Sequence, residues 1–302
     1  MIRIGDLGLN EIRKTIDPQA LADEVYETIG EISCSLRADY RHAIDALIEC
    51  AADSPNEAGK LDRANDVLRC IAENDDIARS DHVAICQDTG SVWVCLEAGP
   101  DIVFGGDVFS LVDDAVARAY KDNALRMSIV RDALVDRSNT GNNTPAFCEV
   151  KFRAETGCAL HVMLKGGGSD NASRVVMLAP GVGRSGIIDE VLDCVREKAA
   201  NACPPLVLGI GIGATFDKVA SLAKHALLRP LGSFAPDLET QGLEREILER
   251  VNALGIGPGA LGGTPSALAV NIETASCHIA ALPLAINMGC CAMRSKTIEL
   301  FR

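Results

Sequence analysis

The chain has 302 residues, 48% of them apolar and 4% aromatic, with a net charge of 29 − 42 = −13. That is enough apolar chain for a sizeable core of Leu, Ile, Val and Ala, in one large or two modest domains. So acidic a protein repels phosphate backbones and anionic lipid, which argues against nucleic acid and membrane surfaces as partners; any anionic substrate must be held by specific Arg or Lys side chains.

Residues 1–80 read as helical. Asp17-Pro18 is an N-cap followed by proline at the first helical position, and Leu21, Val25, Ile29 and Ile32 recur at helical spacing. Ala43, Leu47 and the 67–71 stretch continue the pattern, and Ser54-Pro55 repeats the start signal. Beyond residue 82 short β-rich runs appear at 92–96, 146–152, 158–164, 175–178, 206–208, 267–272 and 285–288. Helical patterns at 108–120, 187–199, 216–228 and 238–254 separate several of them. Strands and helices mix without strict βαβ alternation. The fold class expected is α/β of the mixed α+β kind: a helical N-terminal region, then mixed or antiparallel sheets flanked by helices. No repeat or linker interrupts the chain, so one domain over 1–302 is expected, with a helical part (1–80) and an α/β part (81–302).

Twelve cysteines are many, yet no CxxC occurs, so ribbon-type zinc and thioredoxin-like redox sites lack support. The opening MIRIGDLGLNEIRKTI has no apolar signal region, and no stretch approaches a membrane span. A cytoplasmic location, with thiols or metal-bound thiolates rather than disulfides, is the simplest expectation.

Two glycine runs, GVGRSG (181–186) and GPGALG (257–262), fit G-x-G-x-x-G. Neither has the context of a dinucleotide site. After the first, the next strand-like run leads into further glycines rather than an acid; the second leads into a strand. KGGGS (165–169) has the glycines of a phosphate cradle without the Walker order.

Three cysteines stand out by context, all at strand–loop junctions where polar groups converge. Cys86 precedes Gln-Asp-Thr-Gly, Cys203 precedes Pro204-Pro205, and Cys290 follows the run 285–288, with Cys291 as its rival. Any one could be a small buried apolar residue. Three thiolates without a fourth suit an iron–sulfur cluster or zinc with one open position, able to act as a Lewis acid. His278, Asp88 and Arg126 also have plain readings: a hydrogen-bonded structural histidine, a turn residue, a solvated helix-end charge.

Taken together, CQDTG (86–90), LRMS (125–128), NTGNNTPA (139–146), KGGGSDN (165–171), NACPPLVLGIGIG (201–213), AKHALLRPLG (223–232), LGIGPGALGG (254–263) and CHIAALPLAINMGC (277–290) resemble the class I, iron–sulfur-dependent fumarate hydratases and the related alpha subunits of L-tartrate dehydratases. The resemblance runs from about residue 80 to 295 and carries less signature before that. It implies a [4Fe-4S] cluster held by three cysteines with one open iron, the ligands falling on Cys86, Cys203 and Cys290, and Cys291 outside the set. It implies substrate contacts from Gln87, Arg126 and Gly168, and acid–base roles for Asp88 and His278. It further implies a homodimer of alpha subunits within an α2β2 assembly. Fused relatives continue into a second module, and the chain stops at Arg302, so the expectation is an alpha subunit that needs a beta subunit for full activity.

The KGGGSDN and NNTPA forms read more like the fumarase branch, which points to reversible hydration of fumarate to L-malate; L-tartrate or a methylated dicarboxylate such as mesaconate is the alternative. A different class is a non-catalytic cysteine-rich protein carrying zinc or a cluster. Such a scaffold needs the three cysteines but has no use for Arg126, Asp88 and His278.

Overall fold

A computed structural model of the chain describes residues 13–53 and 63–301. The start signal read at Ser54-Pro55 and the first twelve residues lie outside the described range. After a short strand β1 (Lys14–Thr15), three helices follow: α1 (Pro18–Ser33), α2 (Ala38–Asp53) and α3 (Arg63–Asp81). Asp17 caps α1 by accepting the Gln19 N–H at 3.1 Å, which satisfies one orphan donor of the first turn. Leu21, Val25, Ile29 and Ile32 are buried along one stripe, as the helical spacing predicts.

The rest is α/β. In chain order come β2 (Ser91–Ala98), β3 (Ile102–Val103), α4 (Val112–Asp122), β4 (Phe147–Phe152), β5 (Cys158–Lys165), α5 (Gly167–Asn171), β6 (Arg174–Leu178), α6 (Gly183–Lys198), β7 (Leu206–Ala214), α7 (Phe216–Ala226), α8 (Leu238–Ala253), β8 (Ala267–Cys277), β9 (Leu282–Gly289) and β10 (Arg294–Phe301). Two four-stranded sheets result, ordered β10-β5-β2-β4 and β6-β9-β7-β8. Each has one parallel pair, β2–β4 and β7–β8, among antiparallel ones. The mixed-sheet expectation therefore holds. Strand β10 was not anticipated, and β7 runs on through Gly209-Ile210-Gly211 rather than stopping at Leu208.

Alternation on the strands sorts the layers. Val92, Val94 and Leu96 of β2 pack with α1 and α4, whereas Trp93 and Cys95 join a second core with residues of α2 and α3, Leu227 and Met293. On β7, Leu206, Leu208 and Ile210 face α6 and α8. The alternate positions are Gly209 and Gly211, and they face α7. A Cβ on Gly209 would come within 2.2 Å of the Ala223 carbonyl oxygen, and one on Gly211 within 2.3 Å of that of Val219. The glycines thus let α7 lie directly on the second sheet. Its other side reaches the first sheet, where His225 meets Trp93 edge-on at 5.3 Å. Residues 290–293, between β9 and β10, carry the chain from one sheet to the other.

The glycine runs have structural roles. GVGRSG spans the start of α6. GPGALG forms a tight turn in which Gly257 has φ +70 and no room for a side chain, since a Cβ would lie 2.0 Å from the Gly262 carbonyl oxygen.

Candidate functional site

Strand ends from both sheets converge on one region. Ser91 of β2 is paired with Lys165 at the end of β5, beside Leu164–Arg294 at the start of β10. In the second sheet Val207, next to the start of β7, pairs with Gly289 at the end of β9. The loops that follow or precede these ends carry CQDTG, KGGGSDN, NACPP and GCCA.

Cys86, Gln87, Cys203, Cys290 and Cys291 line one cavity of about 300 Å³, with apolar walls from Leu36, Val67, Ile71 and Ile85 and with Cys70 of α3 at its side. Burial, then the neighbouring Cys290 and Cys86 thiols and Asp88, raise the Cys203 thiol. Cys203 itself has φ +54, a left-handed conformation uncommon outside glycine and asparagine. The segment after it is held from two sides. The Tyr40 hydroxyl donates to the Pro205 carbonyl at 2.6 Å, and the Gly259 N–H donates to that of Pro204 at 2.8 Å. LGIGPGALGG is thus a brace for the Cys203 loop.

Further motifs brace Cys86. The Thr89 hydroxyl donates to the Arg126 carbonyl, and the Tyr120 hydroxyl lies 2.9 Å from both the Thr89 and Gly90 carbonyl oxygens. Asn143 is fully buried. Its amide donates to the Gly90 carbonyl at 3.1 Å and accepts the Ser128 N–H at 2.7 Å. The NTGNN turn therefore stitches CQDTG to LRMS. The Asp88 carboxylate accepts the Gly90 N–H at 3.1 Å and the Gly167 N–H at 2.8 Å. The exposed Arg126 guanidinium forms an ion pair with Asp88 at 3.6 Å, open to solvent. Gly168 packs against the Cys203 loop so closely that a Cβ would lie 2.9 Å from the Asn201 carbonyl oxygen.

Two cations behind the thiols escaped the sequence reading. Lys165 is buried; its ammonium donates to the Met288 carbonyl at 2.6 Å and to the Ser169 hydroxyl at 2.8 Å. Burial pulls its pKa down to about 8, against the opposing fields of Asp170, Cys290 and Asp88. Arg294 is 2% exposed. It donates to the Asp88 carbonyl at 2.8 Å and to that of Ala292 at 3.2 Å, and its Nη1 is buried with no partner. Lys165 opens KGGGSDN, where the glycines drew attention; Arg294 follows the last motif, and nothing local marks it.

His278 is not brought to this region. It sits exposed in the turn between β8 and β9, its Nδ1 accepting the Ala280 N–H at 3.1 Å. Cys277 pairs with Ala214 at the far end of β7. The strand from Leu206 to Ala214 spans about 26 Å at ~3.3 Å per residue. Within one chain, then, an antiparallel strand length separates His278 from Asp88.

The family model described as fumarate hydratase (Fumerase) matches residues 22–299. A protein of Methanocaldococcus jannaschii, provisionally named L(+)-tartrate dehydratase subunit alpha, is 36% identical over 281 residues, covering 91% of this chain and 95% of that protein. The L(+)-tartrate dehydratase subunit alpha of Escherichia coli K12 is 33% identical over 217 residues, 70% of this chain and 71% of its own length.

Proposed function

We propose, for a chain that belongs to the fumarate hydratase (Fumerase) family and is a hydro-lyase of that family, that it is the alpha subunit of an iron–sulfur enzyme acting reversibly on fumarate and L-malate. The observation that carries this reading is the meeting of Cys86, Cys203 and Cys290 in one cavity beside Asp88 and Arg126.

The donor set fits a cluster. The cavity offers sulfur from several cysteines, no carboxylate or imidazole among its lining residues, and apolar walls; soft sulfur donors favour iron–sulfur clusters. Cys86, Cys203 and Cys290 would hold a [4Fe-4S] cluster, which supplies Lewis-acid chemistry at an iron without a cysteine ligand. Buried Lys165 and Arg294 offset the negative charge of such thiolates in a region of low dielectric. Arg126 binds one substrate carboxylate, bidentate in its favoured geometry. The Gln87 amide and the open backbone at Gly168 bind other oxygens of the substrate. Asp88, oriented by two backbone N–H groups, moves the proton of the substrate hydroxyl or of water. His278 serves the cavity of a second copy of the chain, in keeping with a homodimer of alpha subunits within α2β2. A separate beta subunit supplies the remaining groups.

A second substrate reading, L(+)-tartrate, is favoured by the names of the two relatives. A cytoplasmic location suits twelve free cysteines, and among the described residues no helix is long and apolar enough to cross a membrane.

The test is anaerobic purification, followed by iron and sulfide analysis and by assay with the beta subunit on fumarate, L-malate and L(+)-tartrate. About four irons per chain with matching sulfide, lost in Cys86→Ser, Cys203→Ser and Cys290→Ser alike, is the expected result. Turnover of tartrate alone would replace the substrate. Absence of iron from every preparation would sink the cluster reading.

A further inference from the structure

A second group of metal-ligating side chains lies away from the cavity, on the face of the first sheet that receives α7. Cys95 of β2 sits between His161 of β5 and Glu149 of β4 in the strand register. From α7, His225 points its Nε2 into this row, 3.1 Å from a Glu149 carboxylate oxygen and 3.9 Å from the Cys95 sulfur. One ligand atom from each of Cys95, Glu149 and His225 falls within 4.8 Å of the other two.

We propose that Cys95, Glu149 and His225 form a binding site for a divalent transition cation of the zinc type. The geometry is close to what a tetrahedral ion needs. Bonds of about 2.3 Å to sulfur, 2.05 Å to nitrogen and 2.1 Å to oxygen place sulfur and nitrogen about 3.6 Å apart and nitrogen and oxygen about 3.4 Å apart. The observed separations of 3.9 and 3.1 Å differ from these by about 0.3 Å each. The other ring nitrogen of His225 faces the Glu97 carboxylate at 3.6 Å, the carboxylate–histidine arrangement that orients a metal-bound imidazole. Glu97 is itself held by Lys151 at 2.8 Å.

An independent observation points the same way. The side chain of His161 is 91% buried, being 9% exposed. Its Nδ1 pairs with the Thr297 hydroxyl at 2.8 Å, but its Nε2 is buried with no hydrogen-bond partner. That nitrogen is 3.6 Å from the second Glu97 oxygen, and the His161 and His225 rings meet edge-on at 6.3 Å. An orphaned imidazole nitrogen beside a thiol, two carboxylates and a second imidazole is costly in a packed interior. A cation would draw Glu97 and the rings into one network. Glu149 is 38% exposed, which gives the ion a route from solvent and leaves water as its fourth ligand. Binding would displace the Cys95 proton to solvent. The ion would tie β2 and β4 of the first sheet to the helix seated on the second.

The test is a Co²⁺ titration of the metal-stripped full chain carrying Cys86→Ser, Cys203→Ser and Cys290→Ser, so that the three expected cluster ligands take no part, with Cys95→Ala in the same background telling Cys95 from the remaining thiols. One Co²⁺ per chain with a thiolate-to-cobalt charge-transfer band, displaced by one Zn²⁺, is expected. The band should vanish in Cys95→Ala, and affinity should fall about tenfold or more in Glu149→Gln, whose part-exposed position leaves the fold intact should Cys95→Ala not fold. No charge-transfer band, or a band indifferent to Cys95 and Glu149, overturns the proposal. Iron content of the wild-type chain is measured in parallel, so this result stands apart from the cluster reading.

Discussion

The backbone N–H of Cys291 donates to the carbonyl oxygen of Cys203 at 2.9 Å. That bond joins the loop ahead of β7 to the loop after β9, and so fixes the spacing of two of the three expected ligands through main chain alone. It also distinguishes the neighbouring cysteines. Cys290 acts on the buried Lys165 ammonium, and Cys291 and then Cys290 both act on the buried Tyr40 hydroxyl. Burial, then the fields of Cys290, Cys203 and Cys86, raise the Cys291 thiol strongly. The hypothesis is that Cys291 supports the site without ligating. Cys291→Ser should retain iron and sulfide near the wild-type ratio, and Cys290→Ser should lose both. Equal loss in the two variants would remove the distinction.

Arg126 is the candidate anion holder because it is exposed, stands beside Asp88 and has its own carbonyl fastened by Thr89. Replacement by alanine removes a charge-assisted contact to substrate while the Thr89 bond to main chain survives. Such contacts contribute roughly 1.5–3 kcal/mol, equivalent to about 10- to 100-fold in kcat/KM. Cluster iron should not change. Unaltered kinetics in the complex with the beta subunit would defeat the assignment and favour the scaffold reading.

Lys165 completes a sheet edge as well as supplying charge. Strand β6 begins at Arg174, paired with Ile286, so the outward groups of Met288 lie beyond it. The Ser173 hydroxyl accepts the Met288 N–H at 3.3 Å and Lys165 donates to the carbonyl at 2.6 Å. Lys165→Met would leave the carbonyl and the Ser169 hydroxyl short of a donor, at about 1–3 kcal/mol each. Thermal unfolding of the metal-free chain should shift down by several degrees. An unchanged midpoint would show that water replaces the ammonium at no cost.

The seat of α7 gives a sharper stability test. Gly211→Ala places a methyl 2.3 Å from the Val219 carbonyl oxygen, a backbone atom that cannot swing aside. The helix would have to lift from the second sheet, disturbing the buried contacts of Val219 and Ala223 with Ala285. Overpacking in a tight core costs about 1–3 kcal/mol and occasionally more. Because the backbone is the obstacle here, a loss at or above the top of that range is expected in a urea titration, against little change for Gly105→Ala, which has nothing within 4 Å of its Cβ.

Much of this site was legible because its motifs are local. CQDTG, NACPP and GCC each place a thiol at a strand end, and chain order together with the family resemblance sufficed to group them. What joins them was not legible. Arg294 reaches Asp88 across most of the chain, and nothing around Met293-Arg294-Ser295 announces that contact. The NTGNN segment has the composition of a turn, yet Asn143 is a buried bracket between two motifs. GIGIG looked like the end of a strand because glycine is poor in sheets; only the helix lying on it explains why the strand continues. Cys95, Glu149 and His225 come from three elements, and no spacing rule connects them.

His278 shows the same limit and leads to a decisive experiment. His278 lies only twelve residues before Cys290 in sequence, yet β8 and β9 are joined by the turn that carries it, and β9 then returns a full strand length to Cys290. A histidine at one end of a sheet cannot exchange a proton with a ligand held about 26 Å away at the other. If His278 is catalytic, it acts in a second copy of the chain. His278→Ala should then bind a full cluster and show little turnover with the beta subunit, and Cys86→Ser should show neither cluster nor turnover. Co-assembled in equal amounts, the two variants form mixed dimers in which the intact cavity of one meets the intact histidine of the other. Half of the dimers would be mixed, each with one working site of two, so about a quarter of wild-type activity should return. No recovery in verified mixed dimers, with each variant alone inactive, would exclude action between copies. Full activity of His278→Ala alone would remove the residue from catalysis and leave Asp88 as the acid–base group of this chain.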